Sequence, residues 1–520
     1  MFTVGFSTGS SFSSSCAMLA TAAIWGISAI VAYAVFARLR DWKRLKHIDG
    51  PSLGGWTDYW MIRSQLSGRM NLDLADVIRE YGPIARIGTN TIVCADVKEL
   101  RKIWAVRSTW KRPRWYLGLR IDPYSDNVFS IMDDKVHETL RSKLLPGYGG
   151  KDVDGVHEII DEQIALFVQL LEDKYLSVDG KGSKDRSFLP VDLARKVQFL
   201  TLDIISSLAF GESFGNLVAD DDALGYISTT EKSIPMLMFV TLVPWLTAIW
   251  QSPRLRWMFP DARNMVGIGD VMAIARRVVG QRYGEKPEVV KRDMLGSFVA
   301  HGLTKGEAEG ETMVQIVAGS DTSATAIRST LLFIITNPAV YSRLQAEIDT
   351  AAAQGRISSP ITDAEARALP YLQAVIREGL RMYPPATGLL PKVSSKDEVL
   401  CGKHIPAGTD VGWAVWPVMR DRGVFGEDAD LFRPERWVEA EPEQWRVMDQ
   451  TVMMDFATGS RWECLGKTIA MIELNKTYVE LLRRFDITLL DPSNPWHSFN
   501  AAFFIQKNMN VKISRRQTPV

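Results

Sequence analysis

One loop constrains this chain more than any other feature, because it places a cysteine directly before a strongly helical stretch. The run is Phe456-Ala-Thr-Gly-Ser-Arg-Trp-Glu-Cys464-Leu-Gly466, and residues 467–484 follow it. At a helix N-terminus, unpaired N–H groups and the helix dipole favour a negatively charged thiolate. Gly459 and Gly466 flank the cysteine and allow the backbone to approach a flat ligand closely. The loop therefore predicts a binding site for a metal ion that is held by one sulfur atom.

A single sulfur ligand narrows the choice of metal centre. Zinc and iron–sulfur sites need several ligands from the protein, and Cys464 has no cysteine neighbour in the sequence. One thiolate on iron is the haem-thiolate arrangement, in which electron donation from sulfur favours cleavage of an O–O bond. The alternative interpretation is a buried free cysteine at a helix start, because free cysteine is among the most buried residue types.

Charge and cysteine content exclude several classes of protein. The 520 residues contain 61 Lys and Arg and 61 Asp and Glu. The chain therefore lacks the excess of positive charge that would indicate binding to nucleic acid. The four cysteines, Cys16, Cys94, Cys401 and Cys464, are far apart and form no CxxC pair. This spacing does not indicate a disulfide framework and is typical of a reducing compartment.

An uncharged segment at residues 16–36 predicts a transmembrane helix, since about 20 apolar residues span a bilayer core. Basic residues follow it at positions 38–46, and the positive-inside rule then places the N-terminus in a lumen and the remainder in the cytosol. A cleaved signal peptide is the alternative. The predicted order is a lumenal N-terminus at 1–15, the anchor at 16–36, a basic linker and hinge at 37–55, and the main domain at 56–520.

A second uncharged apolar stretch occupies residues 233–253. It contains Pro235 and Pro244, which interrupt helices. Two interpretations stay open: a surface element that dips into a membrane, or ordinary core.

The remaining pattern predicts a mainly α fold with minor β-sheets. β-Branched residues broken by Gly88 and Asn90 predict a hairpin within 82–96, and short strands are predicted within 388–415 and 501–514. A long helix is predicted at about 304–336, ending before Asn337-Pro338. Further helices are predicted at 156–171, 192–210, 262–281, 338–353 and 370–381.

The long helix contains the run Ala318-Gly-Ser-Asp321-Thr322-Ser. Thr322 and Ala318 are four residues apart and share a helix face, and the intervening glycine leaves room for a planar ligand and a diatomic molecule. An adjacent acid and hydroxyl are suited to delivering protons to a bound oxygen species. A buried polar patch in a core helix is the alternative.

Two further motifs carry charged pairs. Glu378 and Arg381 face the same side of a helix at i,i+3, and Arg436 of the run Pro-Glu-Arg-Trp could complete a buried cluster with them. His137 and Arg141, at i,i+4, could hold anionic carboxylates. Without context, each pair is equally consistent with an ordinary solvated helix.

Taken together and in this order, the motifs resemble the cytochrome P450 family over essentially the whole chain after the anchor. The run Pro-Glu-Arg-Trp, the single N-terminal anchor and the run Cys-Leu-Gly-Lys are similar to the fungal microsomal branch, in the group that contains pisatin demethylase. The resemblance implies the cytochrome P450 fold for residues 56–520. It also implies an endoplasmic reticulum location with a single membrane pass and a cytosolic catalytic domain.

The resemblance implies a role for each motif residue. Haem b would be bound through its iron to Cys464, the axial ligand. Its propionates would contact His137, Arg141, Lys392 and Arg461. Asp321 and Thr322 would relay protons, and Glu378, Arg381 and Arg436 would form the structural triad.

The sequence departs from the family pattern near the cysteine. Trp462 and Glu463 both lie between Arg461 and Cys464, so the loop is one residue longer than usual, and Ala457 stands where glycine is usual. Lys392 occupies a position where the family often has arginine, and lysine lacks the bidentate fork of arginine.

The implied activity is insertion of one atom of O2 into an apolar small molecule, by hydroxylation, epoxidation or oxidative demethylation, in fungal secondary metabolite biosynthesis. Electrons would come from NADPH through a separate NADPH-cytochrome P450 reductase, with cytochrome b5 as an additional candidate donor. The alternative is a haem-thiolate isomerase, dehydratase or oxidative coupling enzyme without net oxygen insertion. A non-catalytic haem sensor is a further alternative.

Overall fold

The structure, a computed structural model, describes residues 10–177, 189–258, 268–284 and 292–517. The predicted helix at 262–281 begins outside the described residues, which contain its part from Ile268 onward. The helices are α1 (Ser10–Leu45), α2 (Tyr59–Ser67), α3 (Met70–Tyr81), α4 (Val97–Trp104), α5 (Asp134–Tyr148), α6 (Val156–Tyr175), α7 (Leu193–Phe210), α8 (Asn216–Ala219), α9 (Tyr226–Thr241), α10 (Pro244–Trp250), α11 (Ile268–Arg282), α12 (Met294–Ala300), α13 (Lys305–Thr336), α14 (Pro338–Ala353), α15 (Asp363–Arg367), α16 (Pro370–Met382), α17 (Val415–Val418), α18 (Arg422–Phe425), α19 (Glu435–Glu439), α20 (Pro442–Val452) and α21 (Lys467–Leu482).

The strands are short and lie in small sheets. They are β1 (Ile84–Arg86), β2 (Thr91–Cys94), β3 (Val191–Asp192), β4 (Lys392–Val393), β5 (Glu398–Leu400), β6 (Lys403–Ile405), β7 (Asp410–Trp413), β8 (Phe485–Leu489), β9 (His497–Asn500), β10 (Phe504–Lys507) and β11 (Asn510–Arg515). One sheet has the order β1-β2-β7-β4, another has the order β3-β11-β8, and β9 with β10 and β5 with β6 form two-stranded pairs. β2 and β7 are parallel, with Thr91 opposite Asp410, and the other pairs are antiparallel. The helix-rich architecture with minor sheets agrees with the prediction from the sequence.

The long helix α13 runs through the core and contacts α7, α11, α16 and α21. A capping box starts it, because the Thr304 hydroxyl accepts from the backbone N–H of Glu307 while the Glu307 carboxylate accepts from that of Thr304. The helix ends before the Asn337-Pro338 step, as the sequence predicts. Residues predicted for proton delivery therefore lie on a rigid element at the centre of the domain.

Helix α1 is continuous across residues 16–36 and extends to Leu45, through the first half of the segment predicted as a hinge. Its C-terminal end is held to the domain: Arg86 donates to the carbonyls of Asp41 and Trp42, at 3.2 Å each, and Trp42 stacks on Trp56. The only non-helical part of that predicted hinge is therefore the part after Leu45.

The second apolar stretch forms α9 and α10, which meet at a bend of 110°. Pro235 lies inside α9 without ending it, whereas Pro244 is the first residue of α10. In the part of the chain that the structure describes, no single helix is long and apolar enough to cross a membrane. The bent pair of α9 and α10 is long and apolar enough for a membrane span only when both helices are counted together.

Candidate active site

The cysteine loop connects a short 3₁₀ turn, Met453–Phe456, to α21. The backbone N–H of Cys464 donates to the Phe456 carbonyl at 2.8 Å, which closes the loop upon itself. Ala457 and Gly459 have φ values of 50° and 77°. Since only glycine adopts this region without cost, Ala457 replaces the family's usual glycine at a position where a methyl group costs roughly 1 kcal/mol.

The thiol of Cys464 is exposed, yet protein atoms surround it closely enough to desolvate it. This combination places Sγ at an internal opening and not on the outer surface. Burial raises the pKa of the Cys464 thiol, and the N–H groups of Gly466 and Lys467 offset only part of this effect. The helix N-terminus thus favours the thiolate, as expected, but in the polypeptide alone the desolvation is the larger effect. A directly bonded cation would reverse this balance, since a coordinating thiol is deprotonated outright.

Basic side chains from four parts of the chain converge on His137. Desolvation lowers the pKa of His137 to about 3, with further lowering by the charges of Arg112, Arg141, Lys392 and Arg461. The structure therefore brings together the four residues that sequence reasoning assigned to an anionic ligand. It adds Arg112, which sequence reasoning did not single out.

Lys392 is the most informative member of this basic cluster because it is only 1% exposed. Its Nζ donates to the Tyr116 hydroxyl at 2.7 Å and lies over the rings of Trp104 and Trp462. No carboxylate lies within 4 Å of it among the described residues. Burial holds the pKa of Lys392 well below its ordinary value. A buried lysine in this state favours the arrival of a negative charge.

The arginines of the cluster retain free donor capacity. Arg112 donates through Nη1 to the carbonyls of Val128 and Ile131, at 2.7 and 3.1 Å, while its buried Nε has no partner. Arg461 forms an ion pair with Asp134 at 2.9 Å, and its Nε is likewise buried and unpartnered. Arg141 donates to the Glu463 carbonyl at 2.5 Å.

These residues fit a haem group. The cluster carries excess positive charge and unpartnered N–H donors, as two propionates require, and a single thiol lies nearby as an iron ligand. Sequence reasoning missed Arg112 and Tyr116. The sequence feature that could have revealed them is the basic run Lys111-Arg112-Pro-Arg114, which lies within an aromatic segment.

On α13, Asp321 is buried and accepts a hydrogen bond from Nε2 of Gln198 on α7 at 2.6 Å. Its second oxygen, Oδ2, is buried without a partner. Desolvation raises the pKa of Asp321 to about 6, against the opposing effects of the Arg328 charge and the Gln198 amide. The neighbouring Thr322 donates its hydroxyl proton to the Ala318 carbonyl at 2.8 Å. Gln198 was not predicted, and no local motif marks it.

Three hydrogen bonds join segments that are distant in the sequence. The Val128 N–H donates to the Glu311 carboxylate on α13 at 2.7 Å, and Gln251 donates to the Leu117 carbonyl at 2.7 Å. The Thr387 N–H donates to the Ala502 carbonyl at 2.8 Å. The loop before α5 therefore contacts α13 and the residue that follows α10, and the segment after α16 contacts the turn between β9 and β10.

The triad residues lie together and are almost completely buried. Glu378 pairs with Arg381 at 2.7 Å and with Arg436 at 2.9 Å, and Trp437 donates its indole N–H to the same carboxylate at 2.9 Å. Arg381 also donates to the carbonyls of residues 419, 429 and 431. Burial would raise the pKa of Glu378, but the two guanidinium groups outweigh it and the net pKa is lowered. The cluster thus holds in place the segment from residue 419 to residue 437, which precedes the cysteine loop.

A surface cavity of about 570 Å³ lies on the Cys464 side of the domain. Its lining includes the basic residues Arg101, Arg377 and Lys467 together with Met453 and Met454. Lys467 is also the first residue of α21, three positions after Cys464.

Comparison with known proteins agrees with this geometry. A family model described as cytochrome P450 matches residues 53–514. A protein of Pyricularia oryzae named cytochrome P450 monooxygenase ABA1 is 40% identical over 509 residues, covering 96% of this chain and 98% of that protein. Proteins named cytochrome P450 monooxygenase aba1 from Botryotinia fuckeliana and abl1 from Leptosphaeria maculans are 36% and 37% identical. They cover 91% and 96% of this chain and 92% and 87% of their own lengths. The chain belongs to the cytochrome P450 family and is a monooxygenase, an oxidoreductase with a haem-thiolate cofactor.

Proposed function

We propose that this monooxygenase inserts one atom of O2 into an apolar small molecule by hydroxylation, epoxidation or oxidative demethylation. The observation that carries the proposal is a single thiol, Cys464, beside a cationic cluster and directly before α21, which packs against the helix α13 that carries the acid–hydroxyl pair. When bound, the haem supplies oxygen activation. The polypeptide supplies ligation, orientation and proton access.

Each group of residues has a distinct task in this proposal. Cys464 would hold the iron, and the basic cluster around His137 would hold the propionates. Asp321, with a pKa of about 6, can carry a proton on its unpartnered Oδ2 and release it near neutral pH. Thr322 is placed one residue further on, where its hydroxyl can pass that proton onward.

The acid–hydroxyl pair favours oxygen activation over isomerisation or dehydration. Those two reactions do not reduce O2, so a dedicated buried acid would have no task in them; oxidative coupling does reduce O2 and is separated from oxygen insertion by the labelled products described below. The buried apolar residues Met313, Val314 and Ile316, which precede Asp321 on α13, support an apolar substrate. The fungal monooxygenases that resemble this chain support a role in secondary metabolism.

Electrons would come from NADPH through a separate NADPH-cytochrome P450 reductase, with cytochrome b5 as an additional donor. The cavity beside Lys467 supports this route, because its basic residues suit an acidic partner and it lies close to the sulfur ligand.

We also propose that residues 16–36 anchor the protein in the endoplasmic reticulum membrane, with residues 1–15 in the lumen and 56–520 in the cytosol. Helix α1 supports this arrangement by exposing Ile24, Trp25, Tyr33 and Phe36, and by ending in basic residues, Lys43 and Arg44. Resistance to alkaline carbonate extraction, with glycosylation of a reporter sequon at the N-terminus, would support it. Complete release by carbonate would contradict it.

The activity is tested in two steps. First, the reduced, CO-bound protein is compared with Cys464→Ala and, as a matched control, Cys401→Ala. The proposal requires a strongly red-shifted Soret band that only the first substitution abolishes. Second, products formed with ¹⁸O2, NADPH and reductase are analysed over a panel of apolar compounds. A product that contains one ¹⁸O atom supports oxygen insertion, whereas turnover without label would favour the isomerase or coupling alternative.

A further inference from the structure

Two polar side chains in the first half of α13 are buried without complete hydrogen bonding. Glu311 is 2% exposed and Gln315 is 1% exposed. Each has one buried oxygen, Oε2 of Glu311 and Oε1 of Gln315, that has no partner among the described residues. Buried polar atoms are almost always hydrogen-bonded, so these two exceptions indicate a group that the polypeptide does not itself supply. Neither residue belongs to the haem site or the proton relay described above.

The other polar atom of each side chain is anchored. Oε1 of Glu311 accepts a hydrogen bond from the Val128 N–H at 2.7 Å, and Nε2 of Gln315 donates to the Met294 sulfur at 3.2 Å. These contacts hold the two side chains in one orientation each. The positions of the two unpartnered oxygens are therefore fixed by the fold.

The spacing of these residues relates them to the proton relay. Glu311 and Gln315 lie four residues apart and share a face of α13, with their Cβ atoms about 5–6 Å apart. Ala318 and Thr322 continue the same face, seven and eleven residues after Glu311. At a rise of 1.5 Å per residue, Thr322 lies about 10 Å along the helix axis from Gln315 and about 16 Å from Glu311. One small molecule can therefore contact both ends of this face.

The two unpartnered oxygens have complementary hydrogen-bonding roles. Desolvation raises the pKa of Glu311 to about 8; the Val128 N–H opposes this effect and the Glu307 charge adds to it. At neutral pH the carboxyl group therefore mostly keeps its proton, and Oε2 can donate it because Oε1 already accepts a hydrogen bond. The amide oxygen of Gln315 can only accept. A donor and an acceptor on one helix face match a hydroxyl group, which accepts one hydrogen bond and donates another.

We propose that Glu311 and Gln315 form a subsite for a hydroxyl group on an otherwise apolar substrate. The hydroxyl accepts from Oε2 of Glu311 and donates to Oε1 of Gln315. The inference rests on the proposed function, which puts the reacting end of the substrate near Thr322. A ligand that lacks the hydroxyl leaves two buried polar atoms unpaired, so the subsite rejects it. The substrate is therefore already an alcohol before this protein acts on it.

The test uses the full-length, haem-loaded protein in phospholipid nanodiscs. The probes are decane, dodecane and tetradecane, each with its terminal alcohol. Titrations followed by the Soret band give a dissociation constant for every compound. The measured quantity is the ratio of the alkane constant to the constant of the alcohol of the same length. Partition into lipid is the same for every variant, so it cancels when the ratios are compared between variants.

Glu311→Leu and Gln315→Leu should each lower this ratio roughly five- to tenfold, because each removes one hydrogen bond in a buried site. Glu311→Gln should keep most of the ratio, since its amide N–H donates where the carboxyl group did. Gln315→Leu leaves the contact between Glu311 and Val128 in place, so it tests the subsite even where Glu311→Leu does not fold. The matched control is Glu309→Leu, which should leave the ratio unchanged, because Glu309 lies on the opposite face of α13, 3.8 Å from Arg276.

The proposal is overturned if the native protein and both leucine variants give the same ratio. The two side chains would then only hold the loop or enclose a water molecule. An equal loss of affinity for alkane and alcohol would likewise assign them a purely structural role.

Failure of the subsite is distinguishable from failure of the proposed function. A ratio that depends on Glu311 and Gln315, without any ¹⁸O product, would refute oxygen insertion and leave the subsite in place. An ¹⁸O product together with an unchanged ratio would refute the subsite alone.

Discussion

Replacing Glu378 with glutamine should destabilise this protein severely while changing its volume very little. The carboxylate accepts five hydrogen bonds: three at Oε1, from Arg381, Arg436 and the backbone of Arg433, and two at Oε2, from Arg381 and Trp437. In whichever orientation the amide is placed, its NH2 group faces at least two N–H donors. The substitution also leaves two buried guanidinium groups without their shared counter-charge.

Breaking a buried ion pair by removing one partner costs about 3–5 kcal/mol. Glu378 is in this class, since its side chain and that of Arg381 are 0% exposed. The matched control is Glu443→Gln, which removes the i,i+3 partner of Arg446 in a pair that is 74% and 55% exposed. Little change is expected there, because solvent screens the pair.

Equilibrium urea unfolding measures both variants, and retention of the Soret band on gel filtration reports whether the haem stays bound. If the two variants lose similar stability, then the buried cluster does not hold the segment before Cys464 and the reasoning is wrong.

The pH dependence provides a second check. The pKa of Glu378 is lowered in the fold from its ordinary value of 4.5. Its contribution to stability is therefore complete above about pH 4.5 and is lost as the pH falls through the folded pKa. The stability difference between the native protein and Glu378→Gln should be constant from pH 6 to pH 8 and should shrink only in acid.

Four further substitutions have expected outcomes. Lys392→Met should weaken haem retention during dilution, because it removes a buried cation from the basic cluster, whereas Lys396→Met at a 66% exposed position should not. Gly379→Ala should destabilise the protein in urea unfolding by about 1–3 kcal/mol, since its Cβ would overlap the facing side chain of α13. Gly280→Ala should stabilise the protein by roughly 0.5–1 kcal/mol, since the added Cβ would have no neighbouring side chain or packed element within 4 Å and alanine has the higher helix propensity. Gln198→Leu removes the hydrogen bond that lowers the pKa of the buried acid on α13. The alkaline limb of the pH–rate profile, where this proton donor loses its proton, should then shift upward and product formed per NADPH should fall, without a change in the Soret band of the CO complex.

Most helices and strands could be predicted because their signals are local. The capping box at Thr304, the Asn337-Pro338 stop and the period of apolar residues define α13 within one or two residues at each end. The alternation after residue 501 likewise marks β10 and β11. Residues 262–267 lie outside the described residues, so the predicted start of the helix at 262–281 stays a prediction.

The candidate site was predictable wherever it consists of short motifs. The run before Cys464, the acid–hydroxyl pair at Asp321 and Thr322, and the i,i+3 pair of Glu378 with Arg381 can be recognised from chain neighbours alone. Their roles as ligand, relay and triad stay predictions that the experiments above address. The protonation state of Cys464 was only half predictable, because the helix start that favours the thiolate is local, whereas the desolvation that raises the pKa of the thiol depends on the surrounding fold.

What only the tertiary structure decided is which distant side chains share a space. Tyr116 on the segment before α5 reaches Lys392, and Gln198 on α7 reaches Asp321 on α13. No sequence spacing encodes these contacts, since each depends on how separate helices and strands pack and not on the period of any one element. The sequence determined a helical domain with one thiol poised for a metal. Packing determined the charge, the burial and the partners that give that thiol and its neighbours their chemistry.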